Sequence, residues 1–186
     1  MADKKKLIVL IGGPGVGKGT FAKMLMDLHQ YNYIGVGALL RALPADSEIH
    51  QIIADGNLVP DDVLFELLRA NLKDDMDVLL DGFPRRLSQA KWLVENYADK
   101  FDIHILNFVV PTETLVARIE KRIASGTARA DDRNHDIIRA RLHTFFDVTV
   151  PAIDWLRNAK KIKFSDVDVS GNLDNNLSEI MAALEK

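Results

Sequence analysis

KKLIVLIGGPGVGKGTFAKML, residues Lys5 to Leu25, runs an apolar stretch into a loop with five glycines, one proline and one lysine, and a helical pattern follows at once. Leu7–Ile11 reads as a buried strand, because it is short, apolar and bounded by breakers. Thr20–His29 reads as a helix with Phe21, Met24, Leu25 and Leu28 on one face. Between them, Gly12-Gly13-Pro14-Gly15-Val16-Gly17-Lys18 fits the spacing G-x-x-x-x-G-K. Glycines let backbone N–H groups turn inward and approach an anion closely. The helix start adds its partial positive charge, and Lys18 adds a full one. Strand, loop and helix in that order separate this motif from a glycine-rich turn carrying a surface lysine. The residue after the lysine is Gly19, and a hydroxyl comes only at Thr20. The usual direct Mg²⁺ ligand of such a loop is therefore displaced by one position.

Working outward, Val78–Leu80, Ile103–Val110 and Ile162–Phe164 read as further strands, with a weaker one at Tyr33–Val36. Helical patterns cover Asp61–Leu72, Ser88–Tyr97, Thr112–Ala124, Asp136–Asn158 with a kink expected at Pro151, and Leu173–Leu184. Strands alternating with helices predict a parallel sheet covered on both faces, with ligands bound beyond the carboxyl ends of the strands. One such end is VLLDGFPRR at Val78–Arg86. Its Asp81 can hold Mg²⁺ through water, beside Gly82, and Arg85 can fork onto a second phosphate group.

Bulk composition narrows the partners. The chain has 186 residues and a net charge of −3. No global basic field exists to hold nucleic acid or an anionic membrane, so neither partner is expected. Any positive charge must be local. There is no cysteine, which excludes disulfides and thiolate zinc sites and fits the expected cytoplasmic setting.

Gly12–Thr20 together with DGFPRRLSQA at Asp81–Ala90 resembles the adenylate kinase family of nucleoside monophosphate kinases. LLRAL at Leu39–Leu43, DGNLVPDD at Asp55–Asp62, ARIEKR at Ala117–Arg122, RADD at Arg129–Asp132 and IRARL at Ile138–Leu142 extend the likeness over nearly the whole chain. The resemblance implies an α/β P-loop NTPase fold, three-layered α/β/α, on a five-stranded parallel sheet. It implies one kinase domain over residues 1–186, with a monophosphate-binding region near 35–64 and a short lid near 125–136. It implies transfer of the γ-phosphoryl of Mg·ATP to AMP, giving two ADP, by a monomer.

The resemblance also implies roles. Gly13, Gly15, Val16, Gly17, Lys18, Gly19 and Thr20 would cradle the ATP phosphates. Arg118 and Arg122, four apart on one helix face, would contact ATP. Leu173 would lie near its adenine. Arg41 and Arg85 would hold the AMP phosphate, Gln89 its base, and Asn57, Leu58, Val59 and Gly82 would line that site. Arg129 and Arg141 would clamp the transferring phosphoryl. Arg141 lies roughly 60° from the apolar stripe of its helix, close enough to reach inward. Mg²⁺ would be held through waters near Asp81 and Thr20, with no direct protein ligand. The short lid, the missing cysteines and a lone His135 nearby predict no structural zinc.

Two positions depart from the family. Val36 stands where a threonine helps read the AMP base, and Ala38 stands where a carboxylate helps order the Mg²⁺ waters. A kinase for another monophosphate, or a nucleotide-binding sensor with weak transfer, is therefore an alternative. Gln89 argues against the UMP-CMP branch, and the full set of cations argues against a pure binder.

Overall fold

The computed structural model describes residues 4–185 apart from 45, 56 and 127–134. Five parallel strands form one sheet: β1 Lys5–Gly12, β2 Asn32–Gly35, β3 Val78–Asp81, β4 Phe101–Val109 and β5 Lys163–Asp168, in the order β2-β3-β1-β4-β5. β1 lies at the centre, with Val9 paired to Leu80 on one side and to Ile105 on the other. Its Leu7–Ile11 run is buried throughout, as a parallel strand covered on both faces requires.

Alternation along the strands sends side chains to two cores. Leu7, Val9, Leu80 and Ile105 meet helices α4 Asp61–Asn71, α5 Leu87–Tyr97 and α8 Val150–Arg157. Ile8, Leu10, Leu79 and Leu106 meet α1 Lys18–Leu28, α6 Thr112–Ala124 and α9 Leu173–Leu184. The three-layer α/β/α architecture expected from the alternating pattern is thus present. Among the described residues no helix is long and apolar enough to cross a membrane.

Three regions differ from the reading of apolar periodicity. β5 runs to Asp168 rather than ending at Phe164. Its polar residues are satisfied across the sheet: Ser165 meets the His104 ring at 2.9 Å, and Asp166 accepts from Asn107 at 2.7 Å. Two short helices, α2 Val36–Arg41 and α3 Glu48–Ala54, fill the region after β2. Finally, the helix expected over Asp136–Asn158 is split. α7 His135–Thr144 passes into a π-helical turn, Phe145–Thr149, before α8. Pro151 has no N–H for the Asp147 carbonyl, and its ring crowds that oxygen. The chain widens one turn earlier instead, where Val150 N–H reaches Phe145 O.

Candidate active site

β1 ends in Gly12, and α1 begins six residues later with Gly17 as its N-cap, at φ 106°. The loop between them is tightly covered from outside. A Cβ on Gly15 would sit 2.8 Å from the Leu115 carbonyl oxygen, and φ there is +84°. So the loop glycines serve two ends: they free backbone N–H groups, and they let α6 pack directly on the loop. Lys18 Nζ donates to the carbonyls of Gly12 at 2.8 Å and Gly13 at 3.2 Å, which folds its ammonium back over the loop.

A cleft of about 1270 Å³ opens beyond the carboxyl ends of the strands. Its wall includes Lys18, Gly19, Thr20, Val36, Arg41, Asp81, Gly82, Arg85, Gln89, Arg118, Arg122, Arg141 and Leu173, together with Asn57–Val59 and loop residues Gly15–Gly17. These are the expected site residues, brought together from one end of the chain to the other. Among the described ones, Gly13 is not on the wall: a Cβ there would meet Leu115 Cδ1 at 2.7 Å, on the α6 side. Arg129, and most of the expected lid, lie outside the described residues.

The charge balance of the cleft opposes that of the chain. Among the described residues, Lys18, Lys23, Arg41, Arg85, Arg118, Lys121, Arg122 and Arg141 line it, against the carboxylates Asp27 and Asp81, while the whole chain carries −3. Concentrated cations of this kind attract and orient a polyanion.

Two of the cations meet at a pair of glycines. A Cβ on Gly37 would lie 3.1 Å from Arg41 Nη1, and one on Gly82 would lie 3.4 Å from Arg85 Nη2 and 3.9 Å from the Gly37 nitrogen. The two guanidinium groups therefore flank one spot. Arg85 is steered there from both ends: its Nε donates to Gly82 O at 3.0 Å, and its own carbonyl accepts from Thr149 Oγ1 at 3.0 Å. The Phe83–Pro84 peptide bond before it is cis.

Gln89 is 1% exposed. Its Oε1 accepts the Arg85 backbone N–H at 2.8 Å, and its Nε2 donates to Asp61 Oδ1 at 2.8 Å. A backbone donor on one side and a carboxylate on the other fix which end of the amide is which. Asp61 also accepts from Ser88 Oγ and from Arg86 Nη1. Burial pushes the Asp61 carboxyl up, but hydrogen bonds from Ser88, Gln89 and Arg86 and the Arg86 charge outweigh it and leave the carboxyl below its usual value. Arg86 reaches further, to the carbonyls of Val59 at 3.4 Å and Leu58 at 3.3 Å. Arg85 thus faces the cleft, while its neighbour ties the Leu58–Asp61 wall to α5.

Sequence reasoning missed Arg86, Thr149 and Tyr33. Tyr33 lines the cleft and donates its hydroxyl to Asp81 Oδ2 at 3.2 Å. Only Arg86 left a signal, as the second half of an Arg-Arg pair. Arg118, on the cleft wall, also spans two backbone carbonyls with its guanidinium, those of Val16 at 2.8 Å and Val169 at 2.6 Å. It joins the glycine loop to the loop before α9.

The adenylate kinase family model matches residues 10–161. The chain belongs to the adenylate kinase family. Adenylate kinase of Bacteroides thetaiotaomicron is 34% identical over 189 residues, covering 96% of this chain and 98% of that protein. Adenylate kinase of Xanthomonas euvesicatoria pv. vesicatoria is 37% identical over 189 residues, with 95% and 98% covered. Adenylate kinase isoenzyme 1 of Caenorhabditis elegans is 33% identical over 190 residues, with 97% and 88% covered. The adenylate kinase likeness spans the residues at both ends of the cleft, from the glycine loop to the Arg41–Arg85 pair.

Residues that could hold Mg²⁺ are oxygen donors. Asp81 presents a carboxylate to the cleft and Thr20 a hydroxyl at the first turn of α1. Among the described residues, no group of three His, Cys, Asp or Glu is placed to hold a metal ion directly. One carboxylate with one hydroxyl suits a hard cation that keeps most of its waters.

Proposed function

We propose that this chain is an adenylate kinase that transfers the γ-phosphoryl group of ATP to AMP, reversibly, giving two ADP. The observation that carries this reading is the convergence of Lys18, Arg41, Arg85, Arg122 and Arg141 on one cleft that also holds Asp81. Two anionic, phosphate-bearing substrates repel each other, and phosphoryl transfer is catalysed by positioning and by charge stabilisation. Gly15–Thr20 hold the ATP phosphates by backbone N–H groups, and Lys18 swings from its carbonyl partners onto the β/γ oxygens. Arg41 and Arg85 fix the AMP phosphate in line with them. Arg122 and Arg141 stabilise the charge on the equatorial oxygens, together with Arg129. Mg²⁺, when bound with ATP, neutralises charge on the β and γ phosphates; Asp81 and Thr20 would hold it through water.

Base selection falls to Gln89 and the wall at Asn57–Val59. The Gln89 carboxamide has a second N–H and a second lone pair beyond those given to Asp61 and Arg85, which suit an adenine edge. Leu173, 53% exposed at the cleft, offers the ATP adenine an apolar contact. In this reading residues 35–64 form the monophosphate-binding region and 125–136 the lid, within a cytoplasmic monomer. Lid closure would exclude water and limit hydrolysis of ATP.

A coupled assay of ADP formation from Mg·ATP, run in parallel with AMP, CMP, UMP and GMP, tests the proposal. Turnover with AMP above the others is expected. Lys18→Ala is expected to lower kcat at least about 100-fold, the scale of removing one stabilising charge from a transition state. Turnover with CMP or UMP alone would overturn the AMP assignment. ATP binding without turnover would overturn the transferase assignment.

A further inference from the structure

We propose that Tyr33 is a positioning residue for Asp81, and that position 35 is glycine to admit its ring. Tyr33 and Gly35 are two apart on β2 and point to the same face of the sheet. The parallel register pairs Tyr33 with Leu79 and Gly35 with Asp81. Tyr33 therefore starts one step short of Asp81 and leans along its own strand to reach it. The space it crosses is that of the missing side chain at Gly35. A Cβ there would lie 2.8 Å from the Tyr33 hydroxyl and 3.0 Å from two ring carbons. The hydroxyl lies closer than real Cβ contacts come, so a side chain at position 35 would push the outer end of the Tyr33 ring away from Asp81. Beyond Gly35 the hydroxyl meets Asp81 Oδ2 at 3.2 Å.

The partner chosen for Asp81 has chemical consequences. A phenol is a neutral donor and leaves the carboxylate its full negative charge. A lysine or arginine in the same place would cancel that charge. Holding Oδ2 fixes rotation about the carboxylate bond and turns the remaining oxygen and lone pairs toward the cleft, where Lys18 and Thr20 also lie. A ligand oriented from behind binds its cation more tightly, because the orienting entropy is already spent. The inference rests on the proposed role of Asp81 toward the Mg²⁺ waters.

Tyr33→Phe keeps the ring and removes only the hydroxyl. The Mg²⁺ concentration for half-maximal velocity is expected to rise roughly 3- to 10-fold, below the usual orienting-partner effect because the metal is held through water. KM for AMP should stay within about twofold, since the AMP-side arginines are untouched. A Mn²⁺ titration of the protein–ATP complex, followed by electron paramagnetic resonance, should weaken by the same factor and needs no turnover. Gly35→Ala should reproduce the metal defect by displacing the phenol. Unchanged Mn²⁺ affinity in a Tyr33→Phe protein that melts like the wild type would overturn the proposal. Failure of the wild type to turn over AMP would instead strike the proposed function, and the Mn²⁺ titration would still decide the role of Tyr33.

Discussion

Arg118 and Arg122 share one face of α6, and nothing in their spacing tells them apart. What separates them is what lies opposite. Arg118 finds the carbonyls of Val16 and Val169, a fact set by two loops distant in sequence. Charged hydrogen bonds to backbone are worth about 1.5–3 kcal/mol each, less where solvent reaches them. Arg118→Ala is therefore expected to cost about 2 kcal/mol and to lower Tm by roughly 4–8 °C for a chain of this size. A calorimetric scan would check it; an unchanged Tm would mean that the two bonds carry no stability. The same limit explains Tyr33, Arg86 and Thr149. Lys18, Asp81 and Arg85 were legible because their chemistry is written into a local motif. The supporting residues act across the fold, and a tyrosine on a half-buried strand looks like core.

The π-helical turn Phe145–Thr149 does at the scale of an element what no single residue in it could. It carries the chain from Arg141, on α7, to Thr149, which is buried and bonded to the Arg85 carbonyl. Its first residue, Phe145, faces Gly13 of the glycine loop, with Cε1 at 3.4 Å from a Cβ placed there. One widened turn thus touches the glycine loop and the Arg85 backbone together. Thr149→Val keeps the shape and deletes the donor, and a bond of about 1 kcal/mol corresponds to a factor of roughly five. KM for AMP is expected to rise by about that factor with KM for ATP nearly unchanged, and Thr149→Ser should restore it. Equal changes in both would assign Thr149 to packing alone. The sequence marked this place through Pro151, yet a proline states only that a hydrogen bond is missing. Whether the helix breaks, bends or widens depends on the neighbours. α3 gives no periodicity signal for another reason: it has no buried residue, so no apolar stripe announces it.

Across the whole molecule, the cleft occupies the carboxyl ends of the strands, and a buried histidine occupies the other half of the sheet. His104 is 5% exposed on β4, paired in register with Ile8 and Lys163. Burial lowers its affinity for a proton; Lys163 and Lys6 lower it further, and Asp102 opposes them. In the unfolded chain the imidazole titrates near its usual value, about 6.5. Below that pH the unfolded state binds the proton more readily than the folded one. The histidine's contribution is thus complete above about pH 6.5 and is lost as pH falls toward its depressed folded value. Tm should fall on acidification from pH 7.5 to 5.5. His104→Gln, which keeps a polar group for Ser165 but cannot titrate there, should flatten that slope. His104 does not line the cleft, so the pH profile of kcat should be the same in both proteins. An undiminished slope in the variant would move the acid sensitivity elsewhere, and a displaced kcat profile would mean that the two ends of the sheet are coupled through β4.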